Sequence, residues 1–241
     1  MKTFLLSVWF LGSLSVWAQP NHDAFTDVLR SHVRSGRVDY ASIKKDARFA
    51  PYLASLSATK ASELRGAELK AFWINVYNAY TIKLVCDNFP LRSIRDLAKG
   101  AVWDRAFITI DGTVYSLNDI ENDILRPLGD NRIHYALVCA ARSCAPLRSE
   151  AYTAENLNEQ LTEQARLFVN DTTKNTFNVS EKKAALSRVF EWYLQDFGTT
   201  YADLLTSLAR YLPEDTRSTL QANARAWSVE WKEYDWSLNG K

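Results

Sequence analysis

Glu63-Leu-Arg-Gly-Ala-Glu-Leu-Lys-Ala-Phe-Trp-Ile-Asn-Val-Tyr-Asn-Ala-Tyr-Thr-Ile-Lys-Leu-Val-Cys-Asp-Asn88 is the stretch on which the fold turns. Leu69, Phe72, Trp73, Val76, Tyr77, Tyr80, Ile82, Leu84 and Val85 recur through it at helical spacing, and together they surround the axis instead of lining one face. A helix apolar on so many sides belongs at the centre of a core, with other elements packed around it. Asn75 and Asn78 interrupt the apolar surface and, if buried, need hydrogen-bond partners.

Outward from this helix the signals are shorter. On the N-terminal side, Phe25, Val28, Leu29 and Val33 are spaced for an amphipathic helix over residues 22–35, with Gly36 as its stop, and a short element begins at Val38. On the C-terminal side, Phe107-Ile-Thr-Ile, Asp111-Gly112 and Thr113-Val-Tyr-Ser read as a β-hairpin with a type I′ turn. Ser116 is placed to cap a helix over 117–125, with Asp119 in its first turn. Residues 133–138 suggest a buried strand, and Thr153 a cap for a helix over 154–169. Residues 176–179 and 184–187 read as paired strands, 189–197 and 201–211 as helices ended by Pro213, and 228–234 as a late strand. Helices dominate, and the strands follow no βαβ order. The expected fold is α+β, a single mixed domain rich in helix with a small, largely antiparallel sheet.

The chain has 241 residues, 47% hydrophobic, with 30 aromatic residues and a formal net charge of +1. This composition is globular, and the neutral balance argues against a nucleic-acid partner, which needs a basic face. Lys2 is followed by an uncharged run from Thr3 to Trp17, and Val16-Trp17-Ala18 carries small or modest side chains ahead of Gln19. That pattern is expected of a secretory signal peptide over residues 1–18, leaving 19–241 as the domain and placing the protein in the periplasm or outside the cell. No cysteine follows the run, so no lipid anchor is expected there, and no later stretch suits a membrane span, because Lys83 and Asp87 interrupt the best one. Export bears on Cys86, Cys139 and Cys144, an odd number in a setting where pairs oxidise.

The chemistry concentrates in Asn131-Arg-Ile-His-Tyr-Ala-Leu-Val-Cys-Ala-Ala-Arg-Ser-Cys-Ala-Pro-Leu-Arg148. A thiol near neutral pH is mostly protonated and needs a base or a positive field to react. His134 supplies a candidate base for Cys139, Arg142 a candidate field, and Glu121, Asn75 or Asn78 a group to orient the imidazole or steady an oxyanion. Two other readings use the same residues: a Cys139–Cys144 disulfide stapling the turn, and zinc bound by His134, Cys139 and Cys144, although the four-residue gaps are unlike usual zinc spacings. On a regular strand His134 and Cys139 face opposite ways, so they meet only if the chain turns after Val138. A pairing of Arg188 with Asp196 across a helix face is a further expectation. The chain lacks a glycine-rich phosphate loop, a His-Glu-x-x-His and a Gly-x-Ser-x-Gly elbow, and no cofactor is expected.

In combination, Phe72-Trp-Ile-Asn-Val-Tyr-Asn-Ala79, Leu117-Asn-Asp-Ile-Glu-Asn-Asp-Ile-Leu-Arg126, residues 133–144, Leu186-Ser-Arg-Val-Phe-Glu-Trp-Tyr193 and Tyr234-Asp-Trp-Ser-Leu-Asn239 resemble the family catalogued as domain of unknown function 547. The likeness runs from about Val38 to Asn239. The family pattern has two prolines after the second cysteine, where this chain has Ala145-Pro146, and it admits Ser in place of that cysteine. The resemblance therefore favours Cys139 over a disulfide or a zinc set. It implies a site drawn from Asn75, Asn78, Glu121, His134, Cys139 and Ser143, with Arg142 and Cys144 beside them. By analogy of site type the set is similar to papain-like and transglutaminase-like thiol enzymes. The expected function is a thiol-dependent hydrolase or acyl transferase of the cell envelope acting on an amide or thioester. The alternative is a non-catalytic module binding a small molecule, peptide or protein.

Overall fold

The protein is described here by a computed structural model covering residues 21–240; the expected signal peptide lies outside the described residues. Helix α1 (Asp23–His32) buries Phe25, Val28 and Leu29. It runs into a two-stranded ribbon, β1 (Val33–Arg34) with β2 (Arg37–Val38), turned by Ser35 and Gly36. Gly36 has φ +76, and a Cβ there would lie 2.5 Å from Pro146 Cβ, so the ribbon can press against the chain just beyond Cys144 only with glycine at this position. Helices α2 (Tyr40–Ile43) and α3 (Phe49–Ala58) follow, the former capped by the Asp39 carboxylate on the Ser42 amide.

Helix α4 (Gly66–Asp87) is the expected central helix, buried continuously from Ala71 to Ile82 and again at Leu84, Val85 and Cys86. Both asparagines are 3% exposed or less, and each finds its partners in the backbone of another segment. Asn75 donates to the Tyr152 carbonyl (2.7 Å) and accepts from the Tyr152 amide (2.9 Å). Asn78 donates to the Ala136 carbonyl and accepts from the Val138 amide, both at 2.9 Å. The polar interruptions in the apolar helix are thus the pins that hold two irregular segments against it.

The hairpin forms as expected, β3 (Ile108–Ile110) against β4 (Thr113–Tyr115), with positive φ at both Asp111 and Gly112. Ser116 and Asp119 cap each other's amides and open a wide π-helical turn, Asp119–Leu125. The expected strand over 133–138 does not form. Asp130 caps a short 3₁₀ turn, Asn131–Tyr135, and Asn78 takes the amide and carbonyl that a sheet partner would otherwise use. Every residue from Ile133 to Val138 is buried, so the apolar run marks a segment enclosed on all sides and not the alternation of a strand face.

Helix α5 (Leu157–Val169) precedes β5 (Thr176–Asn178) and β6 (Lys183–Leu186), which pair antiparallel as expected. Helices α6 (Arg188–Trp192), α7 (Leu194–Phe197), α8 (Tyr201–Ala209) and α9 (Glu214–Asn223) lead to β7 (Ser228–Trp231), which joins β6 in parallel. The architecture is mixed α+β, with the strands of the described residues in three small sheets, two of them hairpins.

Two hydrophobic clusters fill the interior. One surrounds α4; the other gathers Phe168, Phe190, Phe197, Leu204 and Leu208. The 133–145 segment runs along the seam, giving Ile133, Leu137 and Val138 to the first cluster and Tyr135 and Ala145 to the second. The C-terminal residues then lace over this segment. Asn239, Arg142 and Ser143 donate their amides to Ala140, Ser237 and Asp235 carbonyls at 2.9, 2.9 and 3.2 Å.

Asn78→Ala should cost about 3 kcal/mol, because it strands a buried carbonyl and a buried amide; chemical denaturation of variant and parent measures it. A second prediction concerns pH. His22 is buried against the Tyr52 hydroxyl (2.8 Å), and burial lowers its pKa from 6.5 to about 4. Its folded pKa lies below the unfolded one, so it contributes stability above pH 6.5 that is lost as the pH falls towards 4, roughly 3 kcal/mol in all. Melting temperature should therefore drop further between pH 7 and 4 in the parent than in His22→Gln.

Candidate active site

Midway along the seam segment, Cys139 is followed by Ala140, whose φ of +62 is a left-handed conformation that costs a non-glycine residue about 1 kcal/mol. The chain thus turns sharply just after the thiol. Because 133–138 is not a strand, Cys139 and His134 are not held on opposite faces; they border one cleft, with no hydrogen bond between them. The cleft has a volume of about 270 Å³. The 3₁₀ turn brings His134, the π-helical turn Glu121, α6 and its C-cap Trp192 and Tyr193, and the C-terminal strip Tyr234 and Trp236.

All three cysteines are free thiols, and Cys139 alone among them is not fully buried. The Cys139 amide donates to the Cys144 sulfur (3.1 Å), while the Cys144 thiol points to the Leu137 carbonyl (3.5 Å). The Tyr234 hydroxyl lies 3.3 Å from the Cys139 sulfur. The Cys139 pKa is lowered, first by hydrogen bonding from the Cys144 thiol, then by the Tyr234 hydroxyl and the Ala141 amide, against the opposing effects of burial and of the Glu121 charge. The same contact, with burial, pushes Cys144 well up. Of the two neighbouring thiols, Cys139 is therefore the more readily ionised.

His134 is almost wholly enclosed, its ring stacked on Tyr193 with centroids 4.0 Å apart. Its Nε2 meets Asp196 Oδ2 at 2.7 Å, and among the described residues Nδ1 has no hydrogen-bond partner. Asp196 is gripped in turn by Arg126, whose Nε and Nη2 donate to its two oxygens at 2.7 Å each. His134 and Arg126 together, with His134 the larger cause, hold the Asp196 carboxyl well below the usual range despite partial burial. The imidazole is therefore fixed by a carboxylate that is ionised at any physiological pH.

The structure gathers Cys139, His134, Glu121 and Cys144 around the cleft and leaves the other candidates elsewhere. Asn75 and Asn78 are spent on backbone groups and border no part of it. Arg142 and Ser143 line a second hollow, of about 510 Å³, which Cys144 also borders. Ser143 Oγ accepts the Asp235 amide there (2.8 Å). The expected Arg188–Asp196 pair is replaced: Arg188 pairs with Glu191 (2.6 Å), because Arg126 already holds Asp196. The partner that orients His134 is thus Asp196, not Glu121 or Asn75. Tyr234 and Trp236 stand in a stretch quoted for its family likeness but given no role; an aromatic pair in an otherwise polar terminus was the available signal. No three His, Cys, Asp or Glu side chains converge as metal ligands do among the described residues. No described helix is long and apolar enough to cross a membrane.

Residues 61–169 match the model of the family described as Protein of unknown function, DUF547. The match takes in Glu121, His134, Cys139 and Cys144 and ends before Asp196 and Tyr234. No curated protein matches the chain, and no solved structure does.

Asp196→Asn removes the charge that Arg126 and His134 share. It should lower stability by about 2 kcal/mol and slow iodoacetamide modification of Cys139 at pH 7 by about tenfold. Denaturation curves and peptide mass analysis over time read the two effects.

Proposed function

We propose that this protein is an exported thiol-dependent hydrolase or acyl transferase of the cell envelope, acting on an amide or thioester with Cys139 as nucleophile and His134 as base. The observation that carries the reading is the half-buried Cys139 thiol in a cleft shared with a histidine braced from behind by Asp196 and Arg126. A base oriented by a third group, beside a thiol whose ionisation is favoured, is the arrangement that thiol catalysis requires.

In this mechanism His134 Nδ1, left free by the Asp196 contact at Nε2, takes the Cys139 proton. The sulfur attacks the substrate carbonyl carbon, a C–S bond forms, and negative charge develops on the carbonyl oxygen. Tyr234 is the donor suited to that oxygen: its pKa is raised well above the ordinary value, chiefly by burial, so the hydroxyl keeps its proton. The C–N or C–S bond of the substrate then breaks as His134 protonates the departing amine or thiol. Water, or an acceptor nucleophile, releases the acyl group from Cys139 by the reverse sequence. The left-handed Ala140 supports the same reading, since strained backbone collects where a side chain must be presented to a ligand.

The aromatic wall of the cleft, with Trp192, Tyr234 and Trp236 packed on one another, supports a second reading as a non-catalytic ligand-binding or interaction module. Alkylation separates the two. Iodoacetamide should modify Cys139 at pH 7 at least tenfold faster than a free thiol, with a midpoint below the ordinary cysteine value of about 8.5, and Tyr234→Phe, which removes one of the donors favouring the thiolate, should lose part of that advantage. A Cys139 no faster than a free thiol would leave the binding reading.

A further inference from the structure

The charged side chains bordering the cleft are of one sign. Asp104 and Glu121 line it together with His134, and neither lysine nor arginine does. The chain as a whole balances 29 basic against 28 acidic residues, so the local imbalance is not a reflection of composition. Glu121 is only 6% exposed, yet it has no ion-pair partner among the described residues; the Tyr193 hydroxyl hydrogen-bonds to it and Tyr77 feels its charge. Arg126 is near enough to sense Glu121, but its fork is committed to Asp196 and its remaining nitrogen to Asn122 (2.9 Å). A buried carboxylate without a counter-cation is costly, and a cation entering from the cleft would offset that cost.

The neutral part of the lining has the same preference. Trp103, Trp192 and Trp236 stand with Tyr193 and Tyr234 around the opening, and Trp192 is 45% exposed. The electron-rich faces of tryptophan and tyrosine attract ammonium groups, most strongly where water is excluded. Two of these rings already carry an arginine from outside the cleft, Arg95 over Trp236 at 5.1 Å and Arg126 over Tyr193 at 5.4 Å.

We propose that the cleft binds the ammonium group of a cationic substrate, with the charge held between Glu121 and Asp104 and the surrounding tryptophan and tyrosine rings. This inference rests on the reading of the cleft as the substrate site and names the class of substrate: an amide or thioester bearing a protonated or quaternary amine near the scissile bond. It does not depend on the thiol being a nucleophile.

The test uses a matched pair of probes, choline and its uncharged isostere 3,3-dimethylbutan-1-ol, titrated into the mature chain carrying Cys139→Ser and followed by tryptophan fluorescence and calorimetry. Choline should bind at least tenfold more tightly than the alcohol. Glu121→Gln should weaken choline at least fivefold and leave the alcohol unchanged, and Asp104→Asn, at an exposed position, should act in the same direction if Glu121→Gln does not fold. Equal affinity for the two probes, no choline binding up to roughly 0.1 M, or choline binding indifferent to the carboxylate variants would each overturn the proposal. Because Cys139 is absent from the titrated protein, failure here leaves the thiol chemistry standing, and failure of the alkylation test leaves this site standing.

Discussion

Asn78 is the constraint on which the site depends. It is an amide inside an apolar helix, and burial obliges it to find a donor and an acceptor. It finds both in the seam segment, at the Val138 amide and the Ala136 carbonyl. Those two bonds deny the segment a strand partner, fix its path to Cys139 and let the chain reverse through a left-handed Ala140. A polar residue in a core is commonly a stability cost; here it determines where the thiol is presented.

The electrostatics are arranged in two layers that do not overlap. Arg126, Asp196 and His134 form a hydrogen-bonded chain reaching the cleft from the side of α7, bidentate at the arginine end and sheltered at the histidine end. Cys144, Tyr234 and the Ala141 amide surround the Cys139 sulfur with neutral donors that favour its thiolate. A thiolate stabilised by neutral hydrogen bonds rather than by a neighbouring cation leaves the cleft free of fixed positive charge, so the acidic Glu121 and the aromatic wall set its character towards ligands.

The elements legible in the sequence are those whose cause is local. The all-round apolar pattern of α4 and the Asp111-Gly112 turn of β3–β4 needed nothing beyond neighbouring residues, and β5 with β6 was legible for the same reason. The 133–138 segment misled because its apolar run is answered by the Asn78 side chain, 58 and 60 positions away, and not by a sheet. Asp196 was given the wrong partner because a helix-face pairing with Arg188 looks complete in sequence, whereas Arg126 stands 70 positions away and reaches it with better geometry. The two ends of the cleft differ in the same way. Cys139, His134 and Glu121 announce themselves by residue type, while Tyr234 and Trp236 sit in an irregular strip positioned by backbone bonds to the 140–143 loop.

The central claim is that the folded protein itself makes Cys139 an easily ionised thiol. Direct titration of thiolate absorbance in the ultraviolet, taken as the difference between the parent chain and Cys139→Ser, measures this without any substrate or reagent. The account predicts one thiol with an inflection clearly below that of an unperturbed cysteine, disappearing in Cys139→Ser. An inflection at or above the ordinary cysteine value of about 8.5 would contradict it.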